Sequence, residues 1–162
     1  MARNSKHSNY RLKVRRATLR DLDVLVHHRR AMWEDMGVGT GTELDEADRL
    51  YKKWTRTRLK RGKFAAWVVE NGDGEIVGGG SVWLQPIQPR LGSNAIVQPY
   101  LLSMYTERNF RGMGVASRIV KEAVKWSKRN GYSSLLLHAS KVGRRLYIKL
   151  GFKRTWEMRR SL

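Results

Sequence analysis

The residues of this chain that can do chemistry concentrate in two stretches. The first is Met104 to Ala116, MYTERNFRGMGVA. A run that reads as a buried strand passes into Arg111-Gly112-Met113-Gly114-Val115-Ala116, and an amphipathic helix begins at once. The first N–H groups of a helix have no intrahelical partners, and the dipole there favours an anion. Glycines at 112 and 114 remove side chains that would keep a phosphate from those N–H groups, and Arg111 adds a permanent charge. The chemistry this spacing suits is the cradling of a pyrophosphate. Plain packing at a strand-to-helix turn is the competing reading. A dinucleotide fingerprint fits poorly, because its third glycine and its acidic ribose partner about 20 residues on are missing. A Walker A loop fails as well, since no Gly-Lys-Ser/Thr follows.

The second stretch is His138 to Phe152, HASKVGRRLYIKLGF. A strand gives way to a short helix bearing Tyr147, and Gly151-Phe152 leads onward. A phenol about one turn after Gly143 can reach the open end of the preceding strand. There it could protonate a leaving thiolate as a general acid. A half-buried aromatic with its hydroxyl hydrogen-bonded is the alternative.

Together the two stretches resemble the GNAT superfamily of N-acetyltransferases. Arg111-x-x-Gly114-x-Ala116 matches that family's Q/R-x-x-G-x-G/A signature, and Leu146-Tyr147-x-Lys149-Leu150-Gly151-Phe152 matches its LYxKLGF motif. His138–Phe152 is similar to the HASxxGRxLYxxLGF run of one family subset, a likeness that names no substrate. The resemblance implies the α/β (α+β) GNAT acyltransferase fold. That is a mixed central sheet of about six to seven strands flanked by about four helices. The sheet would splay between strands ending near Tyr105 and Ala139.

The resemblance also implies acetyl-CoA as cofactor and direct transfer to an amine. The pantetheine arm would run along Met104, Tyr105 and Thr106. The pyrophosphate would sit on Arg111, Gly112, Met113, Gly114, Val115, Ala116 and Ser117, with Ser140 and Arg144 adding hydroxyl and charge. A backbone N–H near Tyr105 would polarise the acetyl carbonyl, and Tyr147 would protonate the thiolate. Glu107 is the favoured base, with Glu34, Asp35 and His138 as further candidates. Trp33, Met36 and Tyr51, with Trp83 and Tyr100, would line the acceptor side. The acceptor is a primary amine on a small molecule or protein. Acetylation of aminoacyl-tRNA and a non-catalytic module binding acetyl-CoA or nucleic acid are the rivals. The resemblance leaves a homodimer open.

Around these stretches the elements follow from periodicity and turn signals. The chain has 162 residues, the length of one domain. Residues 1–9 read as a mobile N-terminus and 10–162 as a single domain. Tyr10, Leu12 and Val14 alternate with Arg11, Lys13 and Arg15 as in a half-exposed strand, which outweighs reading the acid-free start as a transit peptide. Thr18 and Asp21 form a capping box for a helix to Met36. Gly37–Gly41 is a bend, and Thr42 starts a second helix that Gly62 closes. Residues 64–70 and 75–85 read as a hairpin turning at Asn71–Gly74. Gly78-Gly79-Gly80 inside the second strand signals close backbone approach. Residues 95–106 read as a central strand buried on both faces. A helix follows from Gly112 to about Asn130. Residues 133–139 read as a buried strand, residues 142–150 as a helix and residues 152–160 as a last strand.

There are no Cys, which excludes disulfides, a thiolate metal site and a Cys nucleophile; no metal is implied. No apolar run approaches the length of a membrane span, and the expected location is cytoplasmic. Lys plus Arg is 33 against 14 Asp plus Glu, a net charge of +19. Arg49 to Lys63 alone holds eight basic residues and no acid. Such a field attracts polyanions and repels polyamines and basic peptides.

Overall fold

The computed structural model describes residues 11–162. The expected mobile start at 1–9 lies outside the described residues. Its core is one sheet in the order β1-β2-β3-β4-β5. The strands are β1 (Lys13–Arg16), β2 (Phe64–Glu70), β3 (Ile76–Pro86), β4 (Val97–Thr106) and β5 (Leu136–Leu137). The first three pairings are antiparallel. The last is parallel, reached by a crossover through a helix. The helices are α1 (Leu22–Asp35), α2 (Gly41–Lys60), α3 (Val115–Arg129) and α4 (Arg144–Lys149).

Local chemistry sets the boundaries. Thr18 and Asp21 do form a capping box: the Thr18 N–H donates to Asp21 Oδ2 at 2.7 Å, and a 3-10 turn runs on into α1. Gly37, at φ 66°, follows the end of α1. A second box, Thr40 with Glu43, starts α2 slightly before the expected Thr42, because the Thr40 side chain accepts the Glu43 N–H. In the β2–β3 turn, Asn71 Oδ1 accepts the N–H groups of Asp73 at 3.0 Å and Glu75 at 2.9 Å. Gly74 there takes φ 82°.

Two apolar layers sandwich the sheet. Ala65, Trp67, Val69, Val82 and Leu101 meet Val115, Ile119, Val120 and Ala123 of α3. On the other face Phe64, Ala66 and Val68 meet Leu25 of α1 and Trp54 of α2. The Gly78–Gly80 run is where the helices come closest. A Cβ on Gly78 would stand 2.6 Å from Val115 Cγ1, and one on Gly79 would stand 2.7 Å from His28 Nδ1. One on Gly80 would meet Ile119 at 2.8 Å and collide with the Met104 sulfur. Side chains alternate across a strand, so α3 and α1 press on this short run from opposite faces.

Four sequence expectations need correction. The sheet has five strands, fewer than expected. Residues 152–160 form no strand, and Trp156 and Met158 there are exposed. The edge strand that precedes them, β5, is paired for two residues, a short ladder on which to add another strand. The same shortness leaves Leu136 and Leu137 half-buried rather than buried. In β4 only Pro99, Leu101 and Tyr105 are buried; Met104 and Leu102 pack against the two core layers from opposite faces but stay partly open.

His28 is buried with both ring nitrogens unpartnered. Burial pushes its pKa down from 6.5 to about 4, His27 adds to the effect, and Glu107 opposes it. Unfolded, the imidazole takes its proton near 6.5; folded, it resists until about 4. The stability it contributes is full above pH 6.5 and is lost as pH falls through that window, on the order of 3 kcal/mol. Urea denaturation at pH 7 and pH 4 of wild type and His28→Leu checks this. The variant should lose distinctly less stability on acidification; equal losses would place the acid sensitivity elsewhere.

Candidate active site

The site begins where two strands part. β4 and β5 are paired at Tyr100–Leu136 and Leu101–Leu137 and nowhere beyond. Past that point β4 runs on through Thr106 without a strand on its outer side. The β3–β4 register shifts there: Gly79 lies opposite Tyr105, but Ser81 lies opposite Leu102. Ser103, in the extra stretch, takes φ 53°, a left-handed conformation rare outside glycine. A bulge bends its strand and re-aims its side chains, and this one follows directly on the last residue paired to β5. The splay expected between Tyr105 and Ala139 is therefore present, and the gap exposes the outer edge of Met104, Tyr105 and Thr106.

At the far end of β4 a 3-10 turn, Arg108–Phe110, leads into the glycine loop. Gly112 takes φ 78° and Gly114 φ 82°, and a Cβ on either would meet nothing within 4 Å. The Arg118 N–H closes onto the Gly114 carbonyl at 3.1 Å. The N–H groups of Val115, Ala116 and Ser117 come before that first bond and lack intrahelical partners. No side chain caps them. Arg111 to Gly114 are exposed. The loop is an open concavity of backbone donors at a helix N-terminus. Its residues fit a pyrophosphate.

The Arg111 side chain, though exposed, is tied back to the protein. Its Nε donates to the Thr106 carbonyl at 3.0 Å, and its guanidinium pairs with Asp35, which Arg108 also contacts at 2.7 Å. Those bonds, Arg108 first and then Arg111, hold the Asp35 carboxyl below its usual range. Asp35 is thereby a poor proton acceptor, and Glu34 is tied to Arg30 at 3.0 Å. The Glu107 carboxylate turns toward α1, where His27 Nε2 lies at 2.9 Å and the Tyr105 hydroxyl at 3.5 Å. Glu34, Asp35 and Glu107 share a cleft of ≈ 630 Å³ with Glu75, Ile76 and Val77. That cleft is bordered by α1, the start of β3 and the end of β4.

On the splay side stand Tyr147 and His138. Tyr147 rises from α4, half-buried, its ring edge-on to Phe152 at 5.8 Å. A Cβ on Gly143 would press on it at 3.0 Å, so glycine there lets the ring lie flat against the chain. Its hydroxyl has no hydrogen-bond partner among the described residues, and burial pushes the phenol above its ordinary pKa of 10. Ser140 is spent on structure: its Oγ accepts the Gly143 N–H at 3.1 Å and helps start α4. Arg144 is exposed and forms no ion pair among the described residues. His138 follows β5. Its Nδ1 bonds the Tyr100 hydroxyl and its Nε2 bonds Glu157 Oε1 at 2.8 Å.

A second cavity, ≈ 480 Å³, lies between α2 and the sheet and includes Tyr51, Trp83 and Tyr100. Those three were expected on the acceptor side. Trp33 lies behind, stacked on Arg29 at 3.9 Å. Met36 is 54% exposed and stands apart at the end of α1. Sequence reasoning missed Arg29, Glu157 and the bulge at Ser103. Only Arg29 had a signal, its four-residue spacing from Trp33 on one helix face. Along α2, Arg49, Lys53, Arg56 and Lys60 form an exposed basic stripe.

A family model described as an acetyltransferase (GNAT) domain matches residues 62–154. No curated protein matches the chain in sequence. Among solved structures, an acetyltransferase of Clostridium acetobutylicum crystallised with acetyl-CoA superposes with a TM-score of 0.82 at 24% identity, covering 93% of this chain and 96% of that one. A GCN5-related N-acetyltransferase of Ralstonia eutropha gives 0.83 at 24% identity over 93% and 98%. Glucosamine-6-phosphate N-acetyltransferase of Arabidopsis thaliana gives 0.65 at 17% identity over 93% and 97%. These likenesses show the shared fold.

The glycine loop yields a direct test. Gly114→Glu places a carboxylate and a strained backbone where the cradle needs neither. Affinity for acetyl-CoA, read by calorimetry, should fall about 100-fold or more, and Arg118→Gln, one turn on, should lose far less. Undiminished affinity in a folded Gly114→Glu protein would remove the loop from the binding site.

Proposed function

The chain belongs to the GNAT acetyltransferases and is an acetyl-CoA-dependent N-acetyltransferase; on that premise we propose that it acetylates a primary amine in the gap between β4 and β5. The observation that carries this reading is the parting of those strands at Leu101–Leu137, with free helix N–H groups at one end of the gap and an unpartnered phenol beside it. Acetyl-CoA, when bound, supplies the activated acetyl group. Val115, Ala116 and Ser117 hold the pyrophosphate, with Gly112, Met113 and Gly114 clearing its approach and Arg144 supplying charge. The free edge of Met104–Thr106 holds the pantetheine, and a backbone N–H near Tyr105 polarises the carbonyl.

The incoming ammonium must lose a proton before it attacks. Of the candidate bases, His138 is the one on the splay side. Tyr100 takes the amine's proton as its own hydroxyl proton passes to His138 Nδ1, and Glu157 steadies the imidazolium. Glu107, the base expected from the sequence, is bonded to His27 Nε2 at 2.9 Å and stands as the rival base. As the C–S bond breaks, Tyr147 delivers its proton to the sulfur. Its raised pKa keeps that proton in place at neutral pH until then. The products are the N-acetyl amine and free CoA.

Tyr147→Phe should lower kcat about 10²–10⁴-fold, the usual contribution of a positioned acid, with acetyl-CoA affinity nearly intact. Turnover is read from release of CoA thiol. Full activity in the variant would make Tyr147 structural and leave solvent as the acid.

The stripe on α2 supports a further partner class. Lys53, Arg56 and Lys60 form no ion pairs among the described residues, so polyanions collect on this face. Three phosphate contacts predict that duplex binding falls about fortyfold between 50 and 200 mM salt. A flat salt dependence in fluorescence anisotropy would exclude it.

A further inference from the structure

The cavity under α2 contains a cation with nothing to bind. The Arg29 guanidinium is stacked between two rings, 3.9 Å from the Trp33 centroid and 4.4 Å from the Tyr51 centroid. Those rings cover its faces. Its N–H edge donates to no described residue and pairs with no acid within 4 Å. Asp48, the acid acting on it electrostatically, is engaged by Arg30 at 2.9 Å. A planar guanidinium held by its faces, edge free, is preorganised for bidentate donation to a carboxylate.

The rest of the cavity defines what carries that carboxylate. Trp54, Trp83 and Tyr100 give it aromatic walls, Gln85 adds an amide, and no Asp or Glu lines it. Tyr51 is 6% exposed, and its hydroxyl is buried without a partner. A buried orphan hydroxyl beside a cavity costs stability unless a ligand completes it. The volume, ≈ 480 Å³, lies in the range of small-molecule sites. Tyr100 and Leu102 both line the cavity and flank Leu101, the last residue paired before the strands part. The cavity therefore abuts the gap in which transfer takes place.

We infer that this cavity is the acceptor site and that it selects a small primary amine bearing a carboxylate and a flat apolar body. The inference rests on the acetyl-transfer reading for the word acceptor, but not for binding. The carboxylate docks on the edge of Arg29 and a polar group of the ligand meets Tyr51. The apolar body lies among Trp54, Trp83 and Tyr100, and the amine points past Tyr100 into the gap. Polyamines and aminoglycosides find no counter-charge here and are excluded by Arg29.

Two tryptophans in the walls allow a readout independent of catalysis. Tryptophan fluorescence is followed on titration with phenylalanine and with phenethylamine, which lacks only the carboxylate. Phenylalanine should bind about tenfold tighter or more, and spermidine should not bind at this site. Arg29→Met keeps a long apolar stem and should erase the difference, while Arg29→Lys should keep part of it. Tyr51→Phe should weaken phenylalanine severalfold without lowering Tm; a purely structural hydroxyl would lower Tm and leave binding unchanged. Equal affinities for the two probes, or discrimination that survives Arg29→Met in a folded protein, would overturn the assignment. Thiol release with each amine is measured separately. Selective binding without turnover upholds the carboxylate pocket and counts against acetyl transfer; turnover of spermidine over phenylalanine upholds acetyl transfer and overturns the pocket.

Discussion

Val115 resting on Gly78 is the contact that places the chemistry. Val115 is the first residue of α3, so its seat on β3 decides where the free N–H groups of that helix lie. Any side chain at position 78 would hold the helix off by more than its Cγ1 can yield, since a Cβ would already stand at 2.6 Å. Gly80 plays the same part for Ile119 and for Met104 at the bulge. Gly79 does so on the other face for His28 of α1. One run of three glycines thus fixes both helices and the strand irregularity that opens the sheet. The run offers little burial of its own. Its contribution is to let neighbouring side chains bury themselves on bare backbone.

Charge is partitioned with a consequence for binding. The chain carries a net charge of +19, yet the acids facing α1 are locked in local pairs: Asp35 with Arg108 and Arg111, Glu34 with Arg30, Glu107 with His27. These bonds hold α1 to the end of β4. They take the acids out of play as bases and as attractors of cations. The glycine loop and the α2 cavity are left without carboxylates, so both favour anions. A phosphorylated cofactor and the proposed carboxylate-bearing acceptor would then approach down the same potential.

The capping box at Thr18, the glycine turn before α3 and most of the order of the elements were legible because they are local. Gly112 and Gly114 sit beside the helix they open, and the 78–80 glycines announce close approach by composition alone. The partners of Glu107 were not legible. Glu107 follows the right strand, but its side chain parity turns it toward α1, and a bulge cannot be counted before the β3–β4 register is known. The fate of 152–160 was hidden for a related reason. Its alternation is strand-like, yet a strand exists only where a neighbour offers a ladder, and the bulge in β4 shortens β5 to two residues. Arg29 escaped notice because its one mark, the four-residue spacing from Trp33, is faint among so many basic residues. Only packing shows that its faces are covered and its edge is free.

The two cavities differ in a way that bears on how a proton moves. In the cleft beside Glu107, Glu34, Asp35 and Glu107 each have a cation or imidazole against them, so a proton released there would meet groups whose charge is largely spent. Beside the gap, Tyr100, His138 and Glu157 form a line of hydrogen bonds leading outward, with His138 and Glu157 both more than half exposed. A proton taken from an amine at the gap can leave along that line to solvent. Tyr147, half-buried and unpartnered, has no such line. In the proposed reaction its proton is retained until a developing thiolate takes it. An exit for one proton and confinement of the other is the arrangement that direct transfer between amine and thioester requires.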